Sequence, residues 1–475
     1  MNFILTASQF IFPLVTFPYV SRVLSAAGNG KVSFASSVAN YFLMAASLGI
    51  PTYGIRACAQ VRDDREELSK TVQEIFLINF VMTILASTTY VICIFTVPRF
   101  YSDRTLFLIN GINIILNMFG MNWFFQALEQ YDYITFRSLL FKIISVALMF
   151  LLVHQPEDYV MYGAITVFAS VGSNILNFIR VQRYIDFRWT GNYRIKRHLK
   201  PVLVLFAQSL AVSVYTNLDT VMLGFMKTDV DVGYYHAAVR IKNILLSLVT
   251  SLGNVLLPRM SYYVIKKKNT EFRETMLKAL NFTVLMSVPL TVYFVLFAGE
   301  AIRFLAGDGY AGAVLAMQII TVAVIPNGLT GVLGVQVLTA LGKEKYVLYS
   351  VITGAVLDFL LNLVCIPVAG AAGAAFATMI AEFIVLFVQL IYTRNLIAEM
   401  WWRFRLPIYM GISFVAGIAS YSVKKAGINS AFFALLLSAV IFFVIYGLGL
   451  LIMKEETAWE AAGYILKKQR KSKRK

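Results

Sequence analysis

Charge is scarce in this chain of 475 residues: 14% are Asp, Glu, Lys or Arg, against about a quarter in soluble proteins. Cysteine is scarcer still. Cys58, Cys93 and Cys365 are odd in number, far apart and without a C-x-x-C pair, which excludes a disulfide framework and leaves small helix-packing residues. Histidine also occurs three times. No H-x-x-x-H, G-x-S-x-G or G-x-x-x-x-G-K pattern accompanies it, so enzymatic readings lose their usual residues and neither a metal nor a cofactor is implied.

What abounds is apolar. Hydrophobic residues make up 59% of the chain, about 280 side chains, enough for ~14 membrane helices at roughly 20 residues each. Disorder, a soluble enzyme and a disulfide scaffold are excluded, and the chain is expected to be an all-α polytopic membrane protein. Charge-poor stretches run Phe3–Leu24, Val32–Gly54, Thr71–Val97, Leu106–Ala127, Ile134–Val153 and Tyr159–Val181. After a basic break at 182–200 come Pro201–Phe225, Gly233–Leu257, Ala279–Phe297, Ala311–Leu341, Tyr346–Val368 and Gly373–Tyr392, then Leu406–Val423 and Ala431–Met453. Each must be helical, because lipid offers no partner to an unpaired backbone amide.

Fourteen spans place both termini on one side. With Arg22, Arg137 and Arg180, near span ends, counted with the adjoining connectors, the connectors and tail of that side hold 31 Lys and Arg, the opposite side 8, and Lys142, Arg240 and Lys242 lie inside spans. The positive-inside rule then makes the termini cytoplasmic. The net charge of +17 suits anionic lipid at that face, with no nucleic acid implied. The tail, Lys467-Lys468-Gln469-Arg470-Lys471-Ser472-Lys473-Arg474-Lys475, is expected to rest on headgroups. The first span lacks a basic start and is too long for a secretory signal, so it is read as retained.

The first twelve spans form two halves of six. Ser47-Leu48-Gly49 with Arg56 echoes Ser251-Leu252-Gly253 with Arg259, and Gly163-Ala164 with Arg183 echoes Gly373-Ala374 with Arg394. Even-numbered halves enter from the same side, which implies parallel repeats around a central cavity, a transporter architecture. The division expected is 1–197 for the N-terminal lobe, 198–400 for the C-terminal lobe, and 401–475 for helices 13 and 14 with the tail.

Ionisable side chains at membrane depth are candidates for function. Lys142 lies mid-span in the fifth helix, and Arg240 and Lys242 lie in the eighth, too close in sequence to share one helix face. Arg22 and Arg56 close the first and second helices, where snorkelling to headgroups is the competing explanation. The acidic counterparts Asp219, Asp358 and Glu382 can bind a coupling ion or pair with these cations. Helix breakers gather at Pro13 and Pro18 in the first span and at Pro326-Asn327-Gly328, Gly331 and Gly334 in the tenth. Such breaks mark either moving helices or static bends.

Several segments resemble the polysaccharide-biosynthesis flippases. They are Pro18-Tyr19-Val20-Ser21-Arg22-Val23-Leu24, Tyr53-Gly54-Ile55-Arg56 and Asn122-Trp123-Phe124-Phe125-Gln126-Ala127-Leu128-Glu129 with Arg137 and Lys142. Asp219-Thr220-Val221-Met222-Leu223-Gly224, Val232-Gly233-Tyr234-Tyr235 and Ala340-Leu341-Gly342-Lys343-Glu344-Lys345 continue the likeness, which runs from about Phe3 to Arg394. Ala127 stands where that family usually has glycine. The resemblance implies the multidrug/oligosaccharidyl-lipid/polysaccharide exporter superfamily, with two six-helix lobes, a V-shaped cavity and alternating access. It implies transfer of an undecaprenyl-pyrophosphate-linked oligosaccharide repeat unit across the bacterial cytoplasmic membrane, for O-antigen, capsule or another surface polymer, beside other polysaccharide assembly proteins. The pyrophosphate would seek Lys142, Arg240, Lys242, Arg22 or Arg56. Two other readings stand beside it: an ion-coupled exporter of organic cations on the same architecture, and a membrane-embedded glycan polymerase or ligase. The short external connectors disfavour the latter.

Overall fold

The computed structural model describes residues 2–186, 191, 193–251, 253–425, 427–453 and 455; the basic tail Lys467–Lys475 lies outside them. Every regular element among the described residues is helical. The chain clusters into two compact units, residues 1–236 and 237–475.

Unit 1 opens with α1 (Asn2–Ser47), whose 46 residues would reach roughly 70 Å if straight, more than twice the hydrocarbon thickness. It bends instead at Ser25, which adopts φ 60°, and so supplies the first span and most of the second. α2 (Ile50–Gln60) and α3 (Arg65–Thr96) follow. The Asp64 side chain caps α3 by accepting from the Glu66 and Glu67 amides at 2.9 and 3.1 Å, and these two acidic residues complement the helix dipole. α4 (Pro98–Tyr101), α5 (Arg104–Gly120), α6 (Asn122–Ala127), α7 (Tyr131–Leu152), α8 (Tyr159–Val171), α9 (Asn174–Val181) and α10 (Lys196–Met226) complete the unit, with the start of α11 (Asp229–Thr250). α1 packs against α3, α5, α7, α8 and α10. The aromatic run Trp123, Phe124 and Phe125 is buried among Tyr53, Ile75 and Val202.

One segment of the family resemblance, Val232-Gly233-Tyr234-Tyr235, here acquires a steric reason. A Cβ on Gly233 would lie 2.0 Å from the carbonyl oxygen of Ala26, so α11 meets the bend of α1 backbone to backbone. Gly233→Ala is expected to force these helices apart and to reduce the amount of folded protein in the membrane several-fold. Immunoblotting of membrane fractions checks this; wild-type abundance would show that the approach is not needed.

Unit 2 continues α11 into α12 (Gly253–Ile265), α13 (Asn269–Leu296), α14 (Ala298–Ala306), α15 (Ala313–Val322) and α16 (Val324–Thr330). A π-helical segment, Gly331–Leu338, extends α16. Next comes α17 (Glu344–Ile397), 54 residues bent at Gly370 with φ 52°. A Cβ on Gly373 would sit 2.1 Å from the Cys365 carbonyl oxygen, which is how tightly its two arms approach. α18 (Leu406–Lys425) and α19 (Ala431–Ile452) end the described fold and pack on each other and on α13. Ten helices among the described residues are long and apolar enough to cross a membrane. Two of these, α1 with α2 and α17, cover two expected spans each; the seventh and eighth expected spans fall on α10 and α11, which are not among the ten. Outward-facing Leu, Ile, Val and Phe are abundant: Val368, Ile452 and Phe433 are 84%, 78% and 61% exposed, a surface suited to lipid and not to water.

Candidate functional site

The tenth span is broken where the helix breakers predict. Pro326 removes one helical hydrogen bond, and the turns that follow widen into the π-helical stretch Gly331–Leu338. One side of this broken helix faces the hairpin of α17. There the Asn327 amide donates to Glu382 Oε1 at 2.7 Å, and a Cβ on Gly334 would meet the Gln389 amide nitrogen at 2.8 Å. Gln389 also donates to Ser350 Oγ at 3.1 Å, which sets the register of the two arms. In that register Asp358 and Glu382, twelve residues either side of Gly370, lie at one depth, and both are buried.

The other side of the broken span lines a cavity of about 600 Å³. Its walls come from α11, α12, α13, α16 and the π segment. Arg259, Glu271, Glu274 and Lys278 stand exposed at its mouth, at the span ends that charge counting assigns to the cytoplasm. Thr283, Gly328 and Gln336 form its floor. Gln336 is 5% exposed, and among the described residues no group donates to its Oε1. A Cβ on Gly331 would touch only Thr250 Cγ2, at 3.9 Å, so the absent side chain is room in the cavity. Leu256, Leu257, Phe282, Val332 and Val335 supply an apolar wall between mouth and floor, and a pocket of this kind, mostly apolar with a few polar groups and charges of both signs, can hold an amphipathic or polar solute.

The residues singled out in the sequence distribute over both units. In unit 1, Lys142 is half-buried on α7, its ammonium 5.7 Å from the centre of the Phe12 ring. Arg22 is exposed and donates to the Pro18 carbonyl of its own helix at 2.6 Å, and Arg56 is exposed beside the Tyr53 ring. Asp219 is buried and accepts from the Tyr235 hydroxyl. In unit 2, Arg240 is half-buried and Lys242 buried on α11; neither lines the cavity. Glu382 is joined to the broken span through Asn327, and Asp358 lies on the facing arm.

Three features escape the sequence reading. Gln336 carries no charge and so gives no signal at membrane depth. Arg137, counted there among connector charges, is instead inside α7 and 4% exposed. Its guanidinium donates to Asn122 Oδ1 at 2.8 Å and to the Ser173 carbonyl at 3.2 Å, while its Nε has no partner among the described residues. It thereby ties α7 to the left-handed break at Met121, φ 41°, between α5 and α6. The third is a buried network on Glu74 of α3. Glu74 Oε1 accepts from the Arg194 amide at 2.5 Å, and Oε2 from Arg197 Nε and His198 Nε2 at 3.0 and 2.6 Å. A carboxylate in the third span was a legible signal for this one, and His198, which lies in the basic break of the sequence, is in the first turn of α10.

Residues 1–264 match the family model described as "Polysaccharide biosynthesis protein", and residues 205–364 match one described as "MatE". A protein of Escherichia coli (strain K12) named "Putative O-antigen transporter" is 22% identical over 397 residues, covering 82% of this chain and 95% of that protein. A protein of the same name from Shigella dysenteriae is 22% identical over 396 residues, covering 82% and 97%. Among solved structures, "Lipid II flippase MurJ, inward closed conformation" aligns with a TM-score of 0.77 at 15% identity over 96% of this chain and 98% of that one. An inward-facing multidrug resistance MATE family transporter of the MOP superfamily aligns with a TM-score of 0.58 at 12% identity, over 82% and 98%. At these identities the structural likenesses speak to the fold.

Proposed function

The chain belongs to the polysaccharide biosynthesis protein family, and on that premise we propose that it is a flippase. It moves undecaprenyl-pyrophosphate-linked oligosaccharide repeat units across the bacterial cytoplasmic membrane by alternating access. The observation that carries the reading is the 600 Å³ cavity with charged mouth and polar floor, cut into membrane helices of a chain that aligns along nearly the whole of a relative named for O-antigen transport. A prenyl tail can stay in lipid while the sugars and the pyrophosphate pass through a hydrated interior. The 1–197 and 198–400 lobes are the bodies that move, both termini are cytoplasmic, and anionic lipid binds the basic face. Lys142, Arg240 and Lys242 are the buried or half-buried cations available to the pyrophosphate, with Arg22 and Arg56 at span ends. Asp219, Asp358 and Glu382 are the carboxylates available to a coupling ion.

The ion-coupled cation exporter remains the second reading, favoured by the buried pair Asp358 and Glu382 and by the MATE likeness. A deletion strain separates the possibilities. The flippase reading expects loss of surface polymer, with lipid-linked repeat units accumulating on the cytoplasmic face and restored export on complementation. Single repeats accumulating outside would indicate a polymerase, and normal polymer with altered sensitivity to cationic drugs would indicate the exporter. Within the flippase reading, Lys142→Ala and Arg240→Ala are each expected to lower export about tenfold or more at unchanged membrane abundance, the scale of one charge-assisted contact to phosphate. Full export by both variants would remove these cations from the site.

A further inference from the structure

The cavity of unit 2 is unsuited to a pyrophosphate, although the chain has cations at membrane depth. Its mouth balances Arg259 and Lys278 against Glu271 and Glu274, so a strongly anionic group gains no net attraction there. Arg240 and Lys242, the cations of the same unit at membrane depth, do not line it. A saccharide asks for the opposite arrangement: donors and acceptors of both kinds, an aromatic face and little net charge. All are present. Tyr263 lines the cavity with its hydroxyl accepting from Arg259 Nε at 2.9 Å. Thr250 and Thr283 donate to helical carbonyls at 2.9 Å, which leaves their oxygens free to accept. Most pointed is Gln336. Its side chain lines the cavity, and its amide oxygen is buried without a donor among the described residues, a condition that favours a ligand able to draw the amide round and meet it. The volume lies within the range of small-molecule sites, and Gly331 keeps the space open.

We propose that this cavity holds the saccharide of the transported molecule, that the Gln336 amide turns to bond a sugar hydroxyl, and that the pyrophosphate is bound elsewhere. The inference rests on the flippase reading and assigns one part of the substrate to one site. It makes the α13–π-segment wall a determinant of which sugars are exported.

The test uses the full-length protein in nanodiscs of phosphatidylethanolamine and phosphatidylglycerol. The probe is the free oligosaccharide released by mild acid from the strain's own lipid-linked repeat unit, titrated calorimetrically. Wild type is expected to bind it, Gln336→Leu at least tenfold more weakly, and Gly331→Leu not detectably, because leucine occupies the cavity. Inorganic pyrophosphate is expected not to compete. Gly331→Leu places a good helix former in a helical segment and alters no hydrogen bond of Gln336, so either variant decides the question if the other folds poorly. Wild-type affinity in both folded variants, or displacement of the sugar by pyrophosphate, would overturn the assignment. Complementation keeps the two levels apart. If wild type restores polymer export while the folded variants bind and export equally well, the flippase reading stands and the saccharide site falls. If wild type itself fails to restore export, the flippase reading falls first.

Discussion

Replacing Glu74 by alanine is expected to destabilise unit 1 by about 2–3 kcal/mol, the scale of leaving buried donors without their charged acceptor. The side chain is fully buried and collects bonds from the Arg194 amide, Arg197 and His198. Its loss leaves a guanidinium and an imidazole N–H without their acceptor. Glu67, 3.0 Å from Arg197 Nη1, retains only part of the pairing. Thermal unfolding in detergent should show a large drop and membrane fractions little protein. Glu74→Gln, which keeps an acceptor of the same shape, should recover part of it. A wild-type melting profile for the alanine variant would mean that the basic connector is held by other contacts. Among these are Asp186 with Ser69 and Tyr193 with Gln73, at 3.0 and 2.5 Å.

The same network has a pH dependence whose sign follows from its geometry. A carboxylate only accepts, so His198 carries its proton on Nε2 toward Glu74, and Nδ1 accepts from the Tyr53 hydroxyl at 2.7 Å. Burial pushes the His198 pKa below the ordinary histidine value, more than its hydrogen bond to Glu74 raises it. The unfolded chain therefore binds a proton that the folded chain resists. The contribution to stability is complete above about pH 6.5, the ordinary value, and declines as pH falls below it toward the folded pKa. Melting temperatures measured from pH 8 to pH 5 should fall on the acid side in wild type and fall less in His198→Gln. Equal slopes would place the titration elsewhere.

Arg137→Lys is the second substitution expected to act strongly, on the order of 2–3 kcal/mol, or about 5–10 °C in melting temperature. The planar fork of arginine reaches Asn122 Oδ1 and the Ser173 carbonyl together, whereas a lysine ammonium is a point charge on a flexible stem and holds one of them at a time. Lysine preserves the charge that the positive-inside rule counts. A residue that only oriented the protein would tolerate the exchange; one that fixes the break at Met121 would not. Export and melting temperature measured on the same variant distinguish the two, and wild-type values for both would return Arg137 to an orienting role.

How much of this was legible in one sequence depends on the kind of signal. Helix positions were, since each apolar run had to satisfy its own backbone in lipid, and the described helices fall where those runs lie. The fracture of the tenth span was legible too, because Pro326, Gly328, Gly331 and Gly334 act through local backbone chemistry. The charges at membrane depth were visible as residue types, but their neighbours were not. Lys142 meets Phe12, Glu382 meets Asn327 and Asp219 meets Tyr235, pairings between residues 16 to 130 positions apart that no local periodicity encodes.

The sequence by itself determined that this chain lives in a membrane as a bundle of helices and which family it joins, because hydropathy and short motifs are written residue by residue. Only the tertiary structure decided that Arg137 is a buried tie, that Glu74 anchors the start of α10, and that Gln336 lines a cavity with its buried amide oxygen unmet among the described residues. A hydrogen bond's worth depends on whether water or a partner stands opposite, and burial and partnership arise only when distant helices pack.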